Sequence, residues 1–153
     1  MKHLVDLLCL CLLCLTGKTL CDKNGPTVIT VKEGRDAILP CRLWPKVDLT
    51  SERFIWRKYP KEGGWHKTVF LYNGQRVEVE GQDEQFQGRV EYFPEEVKEG
   101  NASIIIRKTT KADSGKYVCI YLDYQMFCVD LVVASLRRCH SAPDPKERPL
   151  MMT

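Results

Sequence analysis

Cys41 and Cys119 bracket Trp56, and Cys119 closes the heptapeptide Asp113-Ser114-Gly115-Lys116-Tyr117-Val118-Cys119. No other feature narrows the possible folds as much. Both cysteines sit in short runs where apolar and polar residues alternate, the period of a strand with one face buried. Two such half-buried runs, distant in the chain, call for layers of strands closed over one core.

The alternation continues from Thr27 to Ala134, and no long 3.6-residue period competes with it. Nine strands are predicted: Thr27–Lys32, Asp36–Leu43, Arg53–Tyr59, Lys67–Tyr72, Arg76–Glu80, Arg89–Phe93, Ala102–Lys108, Lys116–Leu122 and Met126–Ala134. Parity points Ala37, Leu39, Cys41, Phe54, Trp56, Ile104, Ile106, Tyr117 and Cys119 inward. Asn73-Gly74 is a hairpin signal, because both residue types tolerate positive φ. The fold class is therefore all-β, a sandwich of two antiparallel sheets.

The chain has 153 residues, a formal charge of +3 and 8 cysteines. A prior of about 150 residues per domain gives one domain with short appendages. Lys2 and His3 lead into the apolar run Leu4 to Leu15, which contains one Asp. It is too short to span a bilayer, which needs about 20 apolar residues, and it reads as a secretory signal over residues 1–20. A buried N-terminal helix is the alternative reading. The domain then occupies residues 22–134, and the Arg- and Pro-rich stretch 135–153 is expected to be disordered. Signal cleavage would remove Cys9, Cys11 and Cys14 and leave Cys21, Cys41, Cys119, Cys128 and Cys139. That number is odd, so one thiol is free or bridges two chains. No second stretch is long enough to cross a membrane, and the product is expected to be secreted if the chain is complete as printed.

Catalytic chemistry has no residue set behind it. His3 lies in the signal, His66 and His140 are isolated, and no Ser/His/Asp arrangement is indicated. Cys11 to Cys14 belongs to the signal, and the rest has no CxxC pair, so a metal site is not expected. Gly63-Gly64 is a turn and not a phosphate cradle. The near-even charge balance does not resemble a nucleic-acid binder. No cofactor, metal, small-molecule substrate or nucleic acid is expected, and the function lies on a surface.

The Cys…Trp…Asp-x-Gly-x-Tyr-x-Cys spacing resembles an immunoglobulin domain, and the interval between the cysteines leaves room for the two extra strands of the variable type. The resemblance implies an inter-sheet bridge between Cys41 and Cys119, with Trp56 packed against it. It makes Tyr117 a tyrosine corner, whose hydroxyl bonds back to nearby backbone. It also implies that Arg89, at the start of a strand, pairs with Asp113 across one end of the sandwich. Two solvated charges are the alternative. More specific are Ile38-Leu39-Pro40-Cys41-Arg42-Leu43, the stretch Gly81 to Val90 with its Gln-Phe-Gln-Gly-Arg, Asn101 to Arg107 and the heptapeptide. These resemble the V-set domain of butyrophilin-like and related T-cell costimulatory or coinhibitory ligands.

That resemblance implies a ligand on the external side of the plasma membrane. It would bind a protein receptor on T cells, itself an immunoglobulin-fold protein, through the sheet called GFCC′ in the family, and so modulate T-cell receptor signalling and cytokine production. Family members usually continue into a constant-type domain and a transmembrane helix. On the outward face of that sheet, parity places Ile55, Arg57, Tyr59, Val118, Ile120 and Leu122, with Tyr72 and Tyr124 flanking them. A solvated face should be polar, so this face is expected to bind a partner; cover by the molecule's own loops is the alternative. Asn101-Ala102-Ser103 is a glycosylation sequon at a turn expected to be accessible. Parity puts Cys128 outward, where it could link two chains, stay inert, or pair with Cys139 or Cys21. The competing function is a secreted or cell-surface adhesion protein, a disulfide-linked homodimer through Cys128 or Cys139. An antigen-receptor variable chain fits poorly, because Met126 to Asp130 lacks the glycines of its partner-packing bulge.

Overall fold

The computed structural model describes residues 25–122 and 125–136 of the chain. The stretch 1–20 expected to be a signal, Cys21, Tyr124, Cys139 and residues 137–153 lie outside the described residues. Eight strands are present: β1 (Thr27–Lys32), β2 (Ala37–Leu39), β3 (Arg53–Tyr59), β4 (Lys67–Asn73), β5 (Val90–Tyr92), β6 (Ile104–Ile106), β7 (Gly115–Tyr121) and β8 (Gln125–Ala134). They form a five-stranded front sheet in the order β1-β8-β7-β3-β4 and a three-stranded back sheet in the order β2-β6-β5. Every pairing is antiparallel except β1 with β8, so the front sheet is mixed where two antiparallel sheets were expected.

The back strands are shorter than the alternation predicts, and β2 shows why. Pro40 has no N–H to give to a ladder. At the next residue the N–H of Cys41 donates to Ser103 Oγ at 2.9 Å instead of to a backbone carbonyl. Pairing resumes only as an isolated bridge between Arg42 and Asn101.

The predicted strand Arg76–Glu80 does not form. Asn73 N–H donates to Arg76 O, as the Asn-Gly hairpin requires, but pairing stops at a bridge between Tyr72 and Val77. The chain then crosses from the front sheet to the back in successive turns, with Asp83 N–H on Thr68 O and Phe86 N–H on Asp83 O. Charged side chains and Gly81 give this segment little apolar surface to bury along a sheet edge. Val77 packs against the core at the bridge, and Phe86 closes the end of the core edge-on to Tyr117.

Trp56 sits fully buried between the sheets, across the ladder from Cys119. Its indole N–H donates to Ala102 O at 2.7 Å, so the largest ring in the core leaves no polar atom unmet. Cys41 and Cys119 are joined by a disulfide, with Cα atoms 6.4 Å apart. Closing a loop of 78 residues removes freedom from the unfolded chain, worth about 4 kcal/mol on the chain-entropy argument.

One end of the sandwich is fixed by Asp113. It closes a short 3-10 turn, Lys111–Asp113, in which Thr110 and Asp113 cap one another. Arg89 Nη1 and Nη2 reach the two oxygens of its carboxylate, and the Tyr117 hydroxyl donates to its carbonyl. Arg89 also donates to the carbonyls of Gln85, Arg107 and Lys108, so that one guanidinium ties three segments together.

Candidate functional site

The outer face of the front sheet carries a second apolar cluster, separated from the main core by the sheet itself. Val118, Ile120 and Cys128 form it, with Ile55 and Tyr59 packed against them. The ladders explain the grouping: Ile55 lies opposite Ile120 on β7, and Val118 opposite Cys128 on β8. Leu71 of β4, opposite Ile55, extends the row and was missed from the sequence. Leu122 marks the open rim, 54% exposed, where β7 turns towards β8.

The cluster differs from the sequence expectation in three ways. Val118 is completely buried and Ile120 is 8% exposed, so the middle of the face is packed rather than bare. Tyr72 does not flank it. It lies opposite Phe54, faces inward, stacks on that ring at 5.1 Å and donates its hydroxyl to Thr50 O at 2.9 Å. Its parity with Phe70, which opposes Trp56, was the overlooked signal. Cys128 is on the outer side but is not an exposed thiol. It is 5% exposed and disulfide-bonded.

Arg57 is the odd member of this face. A register shift between Trp56 and Arg57 inserts Val69 as an extra residue on β4, so that Arg57 lies opposite Thr68 and Val118. Among the described residues its Nε is the one buried side-chain nitrogen or oxygen without a hydrogen-bond partner. Leaving such a donor unmet costs on the order of 1–3 kcal/mol. Beside it, the rings of Tyr59 and His66 stand 5.8 Å apart. Burial, and then the Arg57 charge, hold His66 below its ordinary pKa and keep it neutral at physiological pH.

The sequon is closed. Asn101 is 3% exposed, its amide nitrogen donates to Glu96 Oε2, and its carbonyl oxygen accepts from Ser103 N–H at 3.0 Å. Ser103, the hydroxyl residue of the sequon, is itself spent on the Cys41 N–H. The expected accessible turn is a structural knot that joins the end of β2 to the start of β6.

Among the described residues no three His, Cys, Asp or Glu side chains are grouped to hold a metal ion, and no helix is long and apolar enough to cross a membrane.

Two stapled sheets around a tryptophan, a tyrosine corner and the Arg89–Asp113 pair define a variable-type immunoglobulin domain. The family model described as "Immunoglobulin V-set domain" matches residues 24–127, and the chain belongs to that family. It is similar to human butyrophilin subfamily 2 member A2, 27% identical over 67% of this chain and 20% of that protein. It is also similar to human V-set domain-containing T-cell activation inhibitor 1, 32% identical over 63% of this chain and 34% of that protein. Among solved structures it is similar to bovine butyrophilin, with a TM-score of 0.59 and 27% identity, covering 73% of this chain and 52% of that one. The chain thus spans between about a fifth and a third of the length of these curated relatives.

Proposed function

We propose that this chain is an immunoglobulin-domain ligand. It binds a co-receptor on T cells through the outer face of the front sheet and modulates T-cell receptor signalling and cytokine production. Its action is binding and not catalysis, and its place is outside the cell. The observation that carries this reading is the second apolar cluster. An outer sheet face that only met water would alternate charged and polar side chains with the inward apolar ones, yet Ile55, Val118 and Ile120 meet there. The similarity to a protein named as a T-cell activation inhibitor supports the direction of the reading. Another immunoglobulin domain docked against this sheet would bury the roughly 1,200–2,000 Å² that a stable complex needs.

Val118 is too deeply buried to test the face, since an Asp there would unfold the domain before it reported on binding. Leu122 is the better probe. It is exposed at the rim and has φ +45°, a conformation that Asp tolerates well. Fluorescent multimers of the secreted Leu122→Asp chain should stain activated T cells at least about tenfold more weakly than wild type, with an unchanged melting temperature. Staining of T cells by neither protein, or equal staining by both, would overturn the assignment of this face. Cytokine release from T cells stimulated on plates coated with the wild-type chain gives the functional arm.

A further inference from the structure

We infer that the groove beside the turn between β3 and β4 binds a sulfated, uronate-bearing polysaccharide chain. Trp65 stacks on one sugar ring, and lysines hold the sulfate and carboxylate groups. The inference does not depend on the receptor face proposed above. Two adjoining cavities, of about 160 and 720 Å³, form the groove, and they share a wall that includes Tyr59, Lys61 and Gly115. Trp65 lines the smaller cavity; Lys116 and Asp130 line the larger. At 92% exposure Trp65 is the most exposed large apolar side chain among the described residues. A bare indole beside a groove is a flat apolar platform, the mark of a surface that meets a ligand. A pyranose ring is its complement, with a face of C–H groups and a rim of polar substituents.

The charge of the groove points the same way. Lys58, Lys61, Lys67 and Lys116 line it, against Asp130 as the one lining acid. Asp130 lies across the ladder from Lys116, and Lys67 has Asp83 at 3.6 Å, so the surplus rests on Lys58 and Lys61. Lys58 is held in place. Its Nζ donates to Ala112 O and stands 5.8 Å from the centre of the Tyr117 ring. A Cβ at Gly115 would lie 2.9 Å from its Cε, so the glycine leaves room for the lysine stem along the groove. A lysine ammonium has three donors, and two remain for the oxygens of an anion. Burial, and then the charges of Lys67 and Lys61, lower the Lys58 pKa against the pull of Asp113 and Asp83, a repulsion that a bound anion relieves. Lysines spread along a groove longer than one sugar ring suit a repeating anion better than a single terminal acid. A chain of Asp and Glu would satisfy the lysines but has no rigid C–H face to lay on the indole.

Calorimetric titration of the full secreted chain with a heparin-derived octasaccharide tests this. Wild type should bind it. Trp65→Ala, and Lys61→Gln combined with Lys116→Gln, should each bind at least about tenfold more weakly, with unchanged melting temperatures because all three side chains are exposed. Lys98→Gln, at an exposed lysine outside the groove, should bind as wild type does. A poly-glutamate peptide of equal charge, and a trisaccharide ending in one sialic acid, should both bind wild type at least about tenfold more weakly than the octasaccharide. Arg137 and Arg138 also attract sulfate, so the loss in the groove variants decides the site. No binding by wild type, undiminished affinity in Trp65→Ala, or an equal loss in Lys98→Gln overturns the proposal. Equal binding of the peptide reduces the groove to a patch of positive charge and overturns it too, as does equal binding of the trisaccharide. Leu122→Asp should keep the octasaccharide while losing T-cell staining. If it loses the octasaccharide as well, the site is not the groove; if staining never depends on Leu122 while the groove variants still lose the octasaccharide, the receptor face fails and the saccharide site stands.

Discussion

Arg89 grips Asp113 with both terminal nitrogens, Nη1 lying 3.2 Å from Oδ1 and Nη2 bonded to Oδ2. The acid is fully buried and the base about a quarter exposed. Burial alone would raise the pKa of Asp113, and it is the largest single influence on it. Hydrogen bonds from Arg89, the Thr110 N–H and Gln85 together outweigh burial and hold the carboxyl below its ordinary 3.8.

This relationship fixes the acid limit of the fold. The folded state binds the Asp113 proton more weakly than the unfolded chain does. Its stabilisation is therefore complete above about pH 4 and is lost as pH falls through the lower, folded-state pKa. Asp113→Asn leaves the Arg89 charge without its partner and should cost about 3 kcal/mol at neutral pH. The variant's melting temperature should also depend less on pH between about 4 and 2 than that of wild type. Thermal melts of both proteins across that range check the prediction; parallel curves would show that Asp113 does not set the limit.

Tyr117 places its hydroxyl on the carbonyl of the same Asp113, inside the core. Removing it strands a buried acceptor, so Tyr117→Phe should lose about 1–2 kcal/mol, seen as a drop of roughly 5–10 °C in melting temperature. Burial, and then the Asp113 charge, drive the Tyr117 pKa far above that of free tyrosine. Burial raises Tyr72 and Tyr121 as well, so in an alkaline absorbance titration more tyrosine should ionise after unfolding by denaturant than in the folded protein, and this difference should shrink by one tyrosine in Tyr117→Phe.

Gly74 has φ +68°, and a Cβ built there would lie 2.8 Å from the carbonyl oxygen of Ser51. Backbone conformation and neighbouring backbone both exclude a side chain. Gly74→Ala should therefore destabilise the domain by about 2 kcal/mol in urea unfolding. The neighbouring Gly81 also has positive φ, at +86°, but nothing lies within 4 Å of its Cβ. Gly81→Ala should cost less, about 1 kcal/mol, and the difference measures the clash alone.

Asn101 gives its amide nitrogen to Glu96 and is sealed from solvent. A glycan on that nitrogen would break the bond and push apart the bridge to Arg42. The secreted, folded protein should show no change in electrophoretic mobility on treatment with an amidase that removes N-glycans. Asn101→Gln should lower stability by about 1–2 kcal/mol through the lost bonds to Glu96 and Ser103. A mobility shift would show that the loop opens to the modifying enzyme before it closes.

The long strands were legible because their signal is local. β1 and β3 begin and end where the alternation does, and the inward set of Ala37, Leu39, Phe54, Trp56, Ile104, Ile106 and Tyr117 is buried as its parity requires. The predicted strand at Arg76–Glu80 failed because alternation permits a strand but does not supply a neighbour. Beyond Val77 the chain has to cross between sheets, and turn hydrogen bonds win there. Tyr72 was misplaced because its parity was read without its cross-strand neighbours. Its shared parity with Phe70, which opposes the inward Trp56, carried the signal, but that signal shows its direction only once the pairing of β4 with β3 is known.

By itself the sequence determined the layered all-β architecture and the inward set of its clearly alternating strands, from Ala37 and Leu39 to Ile104, Ile106 and Tyr117. Alternation and spacing are properties of neighbours along the chain, and they decide which side chains can leave water together. Only the tertiary structure decided what those side chains do once brought together. It buried Val118 on the far side of the sheet, closed the Asn101 turn and left the Nε of Arg57 without an acceptor. Burial and hydrogen-bond satisfaction depend on what arrives from distant strands, and no local pattern records that.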